Sequence, residues 1–248
     1  MKPTPLISVV IPAHNEEACL GSCLESVKRA AALTGGGQDS VEIVVAANRC
    51  TDGTAEIAER FGAEVVANDD RSIARVRNAG VNASRGEIIV TIDADSVMSE
   101  HALCEVVEML ESGKYIGGGT RVRFERMSVG IFFSALYVAW NLIPVMIRNR
   151  AALSGGMFWF YRRDFDLLGG FDGSLVSLED MDFAARLNRL GISRGLKYGT
   201  LKKSCIVTSS RKFDEFGDWY LIRNRELTKR IFTGRDREAA DKFYYDVR

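Results

Sequence analysis

The first 95 residues constrain the fold most, because short apolar runs alternate there with amphipathic stretches. Strands are expected at 6–11, 41–47, 63–67 and 87–92, and helices at 15–33, 54–61 and 72–83. In the first helix Leu20, Leu24 and Val27 share one face; the second is capped by Thr54 and ended by Gly62. Repeated strand–helix units of this kind build a mostly parallel sheet covered by helices on both sides, an α/β fold. Ligands of such sheets bind beyond the carboxyl ends of the strands. The fourth strand ends at Ile92-Asp93-Ala94-Asp95. In an extended backbone residues two apart share a face, so both carboxylates are expected to point the same way. Paired hard-oxygen ligands at a strand end suit Mg²⁺ or Mn²⁺, which keep waters and share their remaining positions with substrate phosphates. Asp is also an ordinary strand-ending residue, so this pattern alone leaves both readings open.

Beyond Ser99 the order is less regular. Leu103, Val106, Val107 and Leu110 mark a helix, 115–124 and 157–161 read as strands, and 178–190 as a helix. Strands are expected near 194–197 and 204–207, followed by a polar, aromatic-dotted tail. With 248 residues and no linker or repeat, the expectation is one domain over 1–212, in two parts, 1–98 and 99–212. Residues 213–248 form a C-terminal helical extension. Lys+Arg and Asp+Glu both number 33, so no overall field favours nucleic acid. The five cysteines lack the paired spacing of zinc sites and read as reduced thiols of a cytoplasmic protein. No signal-peptide core precedes the first strand.

Residues 129–147 are almost continuously apolar and approach the length of a membrane span. Asn141 and Pro144 interrupt them, and Arg121, Arg123 and Arg126 on one side are matched by Arg148 and Arg150 on the other. With no positive-inside asymmetry, a buried or interfacial helix is the expectation.

Several clusters carry chemistry. Ser177-Leu178-Glu179-Asp180 reads as a capping box, with Ser177 as N-cap. Asp180 also lies on the inward stripe of Phe183, Ala184 and Leu187, where a general base near an acceptor hydroxyl would explain a carboxylate. Asn48 and Asp52 sit where a nucleobase or ribose would bind, or where a capped turn needs them. Arg71, Arg75, Arg77 and Asn78 decorate the third helix; most suit a solvated face, and one suits a diphosphate. His14 follows the first strand, within reach of a ligand, whereas His101 reads as a surface residue. Two histidines fit a zinc hydrolase or Ser-His-Asp triad poorly, and Pro12-Ala13-His14-Asn15-Glu16 has no glycine for a dinucleotide fingerprint.

Taken together and in this order, the segments resemble a family-2 glycosyltransferase of the GT-A fold. The resemblance rests on Val9 to Glu16, Asn48 to Thr54, Arg77-Asn78-Ala79-Gly80 with Ala83 to Gly86, Asp93-Ala94-Asp95 as the D-x-D motif, Gly155-Gly156 with Arg162-Arg163, Gly169-Gly170-Phe171-Asp172, and Glu179-Asp180. It implies inverting transfer from a nucleotide-diphospho-sugar to an acceptor hydroxyl. Asp95 would ligate the divalent metal, Asp93 would contact the ribose or the metal's waters, Asp180 would act as base and Glu179 would position the acceptor. Pro12, His14, Asn15, Glu16, Asn48, Asp52, Arg75, Arg77, Asn78, Ala94 and Arg211 would line the donor site. There are two departures. Asn48 stands where the family often has Asp, and no histidine follows Val207, leaving Arg211 or Lys212 either to meet the diphosphate or to lie at the surface.

Two rivals are weaker. A sugar-1-phosphate nucleotidyltransferase should carry its glycine-rich loop after the first strand, whereas Gly117-Gly118-Gly119 comes far later. A non-catalytic nucleotide-sugar-binding module should lack a base or metal carboxylate, yet Asp93, Asp95 and Asp180 are present. A saccharide or a lipid-linked acceptor both fit. The apolar 129–147 helix suits peripheral contact with the inner face of the membrane, and a hydrophobic core or homodimer surface equally well.

Overall fold

A computed structural model describes residues 6–149 and 156–231, together with Asp236 and Glu238. Residues 1–5, Arg150, Gly155 and most of the extension past Ile231 lie outside the described residues, as do the side chains of Pro144 and Arg148. The chain runs β1 (Ile7–Ala13), α1 (Leu20–Ala32), β2 (Val41–Asn48), α2 (Thr54–Arg60), β3 (Glu64–Asn68), α3 (Ile73–Ala83), β4 (Ile88–Ile92), β5 (Ser96–Met98) and α4 (Ala102–Glu111). It continues through β6 (Tyr115–Phe124), α5 (Val129–Asn149), β7 (Met157–Tyr161), α6 (Arg162–Leu168), α7 (Glu179–Ser193), β8 (Lys197–Thr208), α8 (Arg211–Phe216), α9 (Tyr220–Arg223) and α10 (Arg225–Ile231).

Among the described residues the strands form an eight-stranded sheet in the order β3-β2-β1-β4-β7-β6-β8-β5. The first four are mutually parallel, β7 runs antiparallel to β4 and β6, and β5 runs antiparallel to β8. This is the expected mostly parallel sheet. Every residue of β1 and β4 is buried, as strands covered on both faces require. Alternation divides the core in two. Val9, Ile11, Val90, Ile92 and Trp159 pack with α1 and α4 on one face, while Val10, Ile89, Phe158 and Phe160 pack with α3, α6 and α7 on the other. In the second layer Phe158, Phe160, Phe165, Phe171 and Phe183 interlock, with Phe171 and Phe183 centroids 4.6 Å apart. Gly80 lets α3 lie close on β1, since a Cβ there would meet Val10 Cγ1 at 2.5 Å. Pro12 is tolerated in a central strand because β1 pairs with β4 only as far as Val10.

Local expectations are corrected at several points. The first helix begins at Leu20 rather than residue 15, because residues 14–19 form a loop tied to the β2–α2 connection. Thr54 is the first helical residue of α2 and does not cap it; its hydroxyl donates to Asp52 and accepts from the Glu16 amide. Ser177 is no N-cap for α7, which Leu178 precedes in a left-handed conformation while the Ser177 hydroxyl donates to the Ile231 carbonyl. The strands expected near 194–197 and 204–207 are one strand, β8, with Arg194 belonging to the end of α7. β5 and α6 had not been anticipated.

Candidate active site

The carboxyl ends of β1, β2 and β4 open onto loops that interlock. His14 donates from Nδ1 to the Asn48 carbonyl at 2.6 Å. The Asn48 side chain, 3% exposed, donates from Nδ2 to the carbonyls of Asn68 (2.8 Å) and Asp70 (2.7 Å), fixing the ends of β2 and β3. Asn15 Oδ1 accepts from the Thr51 amide at 2.8 Å, and Asp52 accepts from the Glu17 amide and from Thr54. Burial opposes the Asp52 charge, but hydrogen bonds from Thr54 and Glu17 hold its carboxyl below the usual range. Asn15 (φ 51°), Arg49 (φ 47°) and Leu178 (φ 61°) are the non-glycine residues with positive φ among the described residues. All three border this cleft, where strain of roughly 1–3 kcal/mol each persists only when the surroundings over-determine it.

Asp93 and Asp95 do not share an extended strand, as the sequence pattern led one to expect. β4 stops at Ile92, and a turn closed by the Ser96 amide on the Asp93 carbonyl (3.0 Å) carries both residues. Their side chains have different partners. Asp93 Oδ1 accepts from Arg77 Nη2 at 2.7 Å, and Arg77 Nε lies 3.4 Å from Glu179 Oε1. Arg77 and Glu179 are buried, so α3 carries one guanidinium that joins the β4 end to the first turn of α7. Burial and the adjacent Asp180 charge push Glu179 up to about 7, against the pull of Arg77. Gly156, at φ 72°, leaves room beside Asp93, where a Cβ would stand 3.2 Å from Oδ2.

Asp95 faces another group. Its carboxylate accepts from Ser96 Oγ at 3.3 Å, and its carbonyl accepts from the Ser209 amide at 3.0 Å, which brings the end of β8 alongside. There Arg211 Nη2 lies 3.0 Å from Glu16 Oε2, Glu16 being 1% exposed, and Arg211 Nε is buried without a hydrogen-bond partner. Cys19 and Cys23 line the same corner. Burial, then the charges of Asp95 and Asp93, push the Cys23 thiol up, so it stays protonated.

Asp180 is half-buried at the start of α7, and its Oδ1 accepts from the Met181 amide at 2.7 Å. Tyr198, on β8, buries its hydroxyl without a partner, and its phenol is pushed up first by burial and then by the charge of Asp180. Other expected site residues have structural work. Both amide atoms of Asn78 pair with the Phe171 backbone (2.8 and 2.9 Å), which pins the Gly169–Asp172 turn to α3. Arg75 is exposed, 3.4 Å from Asp70, and Ala94 is 3% exposed in the first core layer. The sequence reading missed the pairings Arg77–Glu179 and Glu16–Arg211. Nothing in the local sequence signals either pairing, since Glu16 lies between Asn15 and Glu17 and Glu179 stands next to Asp180.

The donor set fits Mg²⁺ or Mn²⁺. Asp95 and the free Oδ2 of Asp93 are hard oxygens at the strand end. Among the described residues no group of three His, Cys, Asp or Glu is arranged to hold a metal; an ion held by these two carboxylates would take its other ligands from water and phosphate.

The family model for glycosyl transferase family 2 matches residues 8–167. The undecaprenyl-phosphate 4-deoxy-4-formamido-L-arabinose transferase of Pseudomonas aeruginosa is 35% identical over 160 residues, covering 61% of this chain and 43% of that protein. The putative glycosyltransferase EpsH of Bacillus subtilis is 30% identical over 97 residues, covering 37% of this chain and 26% of that protein. The chain thus spans less than half the length of these curated relatives. Among solved structures, the mannosyltransferase PcManGT from Pyrobaculum calidifontis, in complex with GDP-Man and Mn²⁺, superposes with a TM-score of 0.64 at 19% identity, over 93% of this chain and 63% of that one. S. aureus TarS 1–349 in complex with UDP gives 0.61 at 15% identity, over 97% and 70%. At these identities the superpositions establish a common fold.

Proposed function

The chain belongs to glycosyl transferase family 2, and from that premise we propose that it moves a sugar, with inversion, from a nucleotide-diphospho-sugar to an acceptor hydroxyl. The observation that carries this reading is the buried Arg77, which holds Asp93 of the expected D-x-D motif against the Glu179-Asp180 pair that begins α7. One basic side chain thereby sets the donor carboxylates and the acceptor carboxylates at a fixed relation.

In the proposed step Asp180 takes the proton from the acceptor hydroxyl, whose oxygen forms a bond to the anomeric carbon. The bond from that carbon to the diphosphate breaks, and its electron pair leaves with the nucleoside diphosphate. Asp95, with Asp93 beside it, would hold Mg²⁺ or Mn²⁺, which when bound neutralises charge on the departing diphosphate. Arg211 offers a second cation from the opposite wall, its Nε unpaired. Pro12, His14, Asn15, Glu16, Asn48 and Asp52 shape the nucleoside end, and Glu179 positions the acceptor. On this division residues 1–98 form the donor half, 99–212 the acceptor half and 213–248 an appended segment. A lipid-linked acceptor is favoured over a free saccharide by the likeness to a transferase named for undecaprenyl phosphate, and such an acceptor would be met at the inner face of the membrane.

Replacing the base tests the scheme. Asp180→Asn should lower transfer by about 10²–10⁴-fold while nucleoside diphosphate binding persists. Transfer at the wild-type rate would remove Asp180 from the role.

A further inference from the structure

α5 is apolar on the side that faces outward. Ile131 and Ser134 are 0% exposed and mark the inward side. Gly130 approaches Asp218 and Trp219, and Ser134 Oγ donates to the Asp218 carbonyl at 2.6 Å. Opposite them Val129, Phe132, Phe133, Leu136, Trp140 and Ile143 recur at helical spacing along one stripe, and all are exposed, Trp140 to 73% and Phe132 to 56%. Phe133 stacks on Trp219, itself 40% exposed, so the stripe continues onto α9. A soluble surface does not normally present its largest apolar side chains together in this way.

Charge decides what covers it. Residues 121–149 and 211–231 contain ten Lys and Arg against five Asp and Glu, in a chain whose totals are equal at 33. These are the segments that flank and support α5: Arg126 pairs with Asp214 and Asp218, and Ser128 bonds Asp218. Arg121 and Arg123 at the β6 end that leads into α5, Arg223 on α9 that packs against α5, and Arg225 just after it remain exposed, with no acidic partner among the described ion pairs. A second copy docked through the same stripe would set two net-positive rims against each other. An anionic lipid surface complements both the charge and the apolar face. Among the described residues no helix is long and apolar enough to cross a membrane.

We infer that the α5 stripe, rimmed by these arginines, docks the protein on the surface of an anionic lipid bilayer, with α5 lying in the interface. The helix also packs against α7, so docking brings the acceptor half of the cleft to the bilayer. This inference does not depend on the donor chemistry.

Flotation of the full chain with phosphatidylcholine vesicles, with and without phosphatidylglycerol, tests it. The wild type should bind the anionic vesicles about tenfold or more tightly than the neutral ones. Phe132→Ser/Leu136→Ser/Trp140→Ser should lose about tenfold or more of that binding at unchanged melting temperature, and Trp140→Ser alone a smaller part. Arg121→Glu/Arg123→Glu should weaken binding to the anionic vesicles selectively. Wild type that floats with neither vesicle, or a triple variant that binds as wild type does, overturns the inference. A concentration-dependent dimer in light scattering that the triple variant abolishes overturns it too, assigning the stripe to a second copy. Nucleotide binding measured on the same samples should be equal in wild type and triple variant, which separates this result from the fate of the donor reading.

Discussion

At the scale of single residues, the Asp93–Arg77–Glu179 chain makes a pH-dependent prediction. The Glu179 carboxyl is pushed up to about 7 by burial and by Asp180, against an ordinary glutamate value of about 4.3. Between those values the folded protein holds a proton that the unfolded chain has released. The stability that this group contributes is therefore fully present below about pH 4.3 and lost as pH rises through about 7. Urea unfolding across that window should show wild type losing on the order of 2–3 kcal/mol relative to Glu179→Gln; parallel curves for the two proteins would contradict it. The residues themselves were visible in the sequence, since Asp93, Asp95, Glu179 and Asp180 all carry the resemblance. Their partners were not. Arg77 and Glu179 are 102 residues apart, and Glu16 and Arg211 are 195 apart. Local patterning reports only what lies within a helical turn or a strand pair, so it showed Arg77 as one of three arginines on a helix.

At the scale of elements, β1, β2, β3 and β4 were legible to within two residues; β1 and β4, buried on both faces, leave unbroken apolar runs. β8 was not. Its Lys202-Lys203 stretch reads as part of a gap, yet the strand passes through it with shifted register against β6. The carboxylate of Glu105, on α4, accepts the amides of Lys202 (2.6 Å), Lys203 (3.0 Å) and Ser204 (2.8 Å), holding the irregular segment in the sheet. Burial opposes its charge, but those backbone hydrogen bonds keep the carboxyl below its usual range. Glu105→Ala should cost about 2–4 kcal/mol, since it leaves several buried amides unpaired. Hydrogen exchange should quicken first at residues 202–204; a variant with wild-type protection there would contradict this role. The early start expected for the first helix failed for a related reason. Residues 14–19 are polar enough for a helix entrance, but their hydrogen bonds run to the second loop, over 30 residues away.

At the scale of the whole molecule, the fold places two walls around one cleft. Arg77 with Glu179 stands on the α3–α7 side and Arg211 with Glu16 on the α1–α8 side; Asp93 bonds Arg77, and the Asp95 charge acts on Arg211. Its general outline, a mostly parallel sheet with carboxylates at the fourth strand's end, was legible from alternation and motif order. The different surroundings of the two aspartates were not, because the chain leaves the extended conformation at Ile92, before either of them. The central claim is that this cleft binds a nucleoside diphosphate through a metal held by Asp95. The most direct measurement is thermal unfolding with UDP, GDP, dTDP or CMP, each with and without Mn²⁺, on wild type and Asp95→Ala. One diphosphate should stabilise wild type only with Mn²⁺, by about 2.7 kcal/mol at a hundredfold excess over Kd, or roughly 5–10 °C. Asp95→Ala should lose that shift. No shift with any nucleotide, or one indifferent to both Mn²⁺ and Asp95, would contradict the claim.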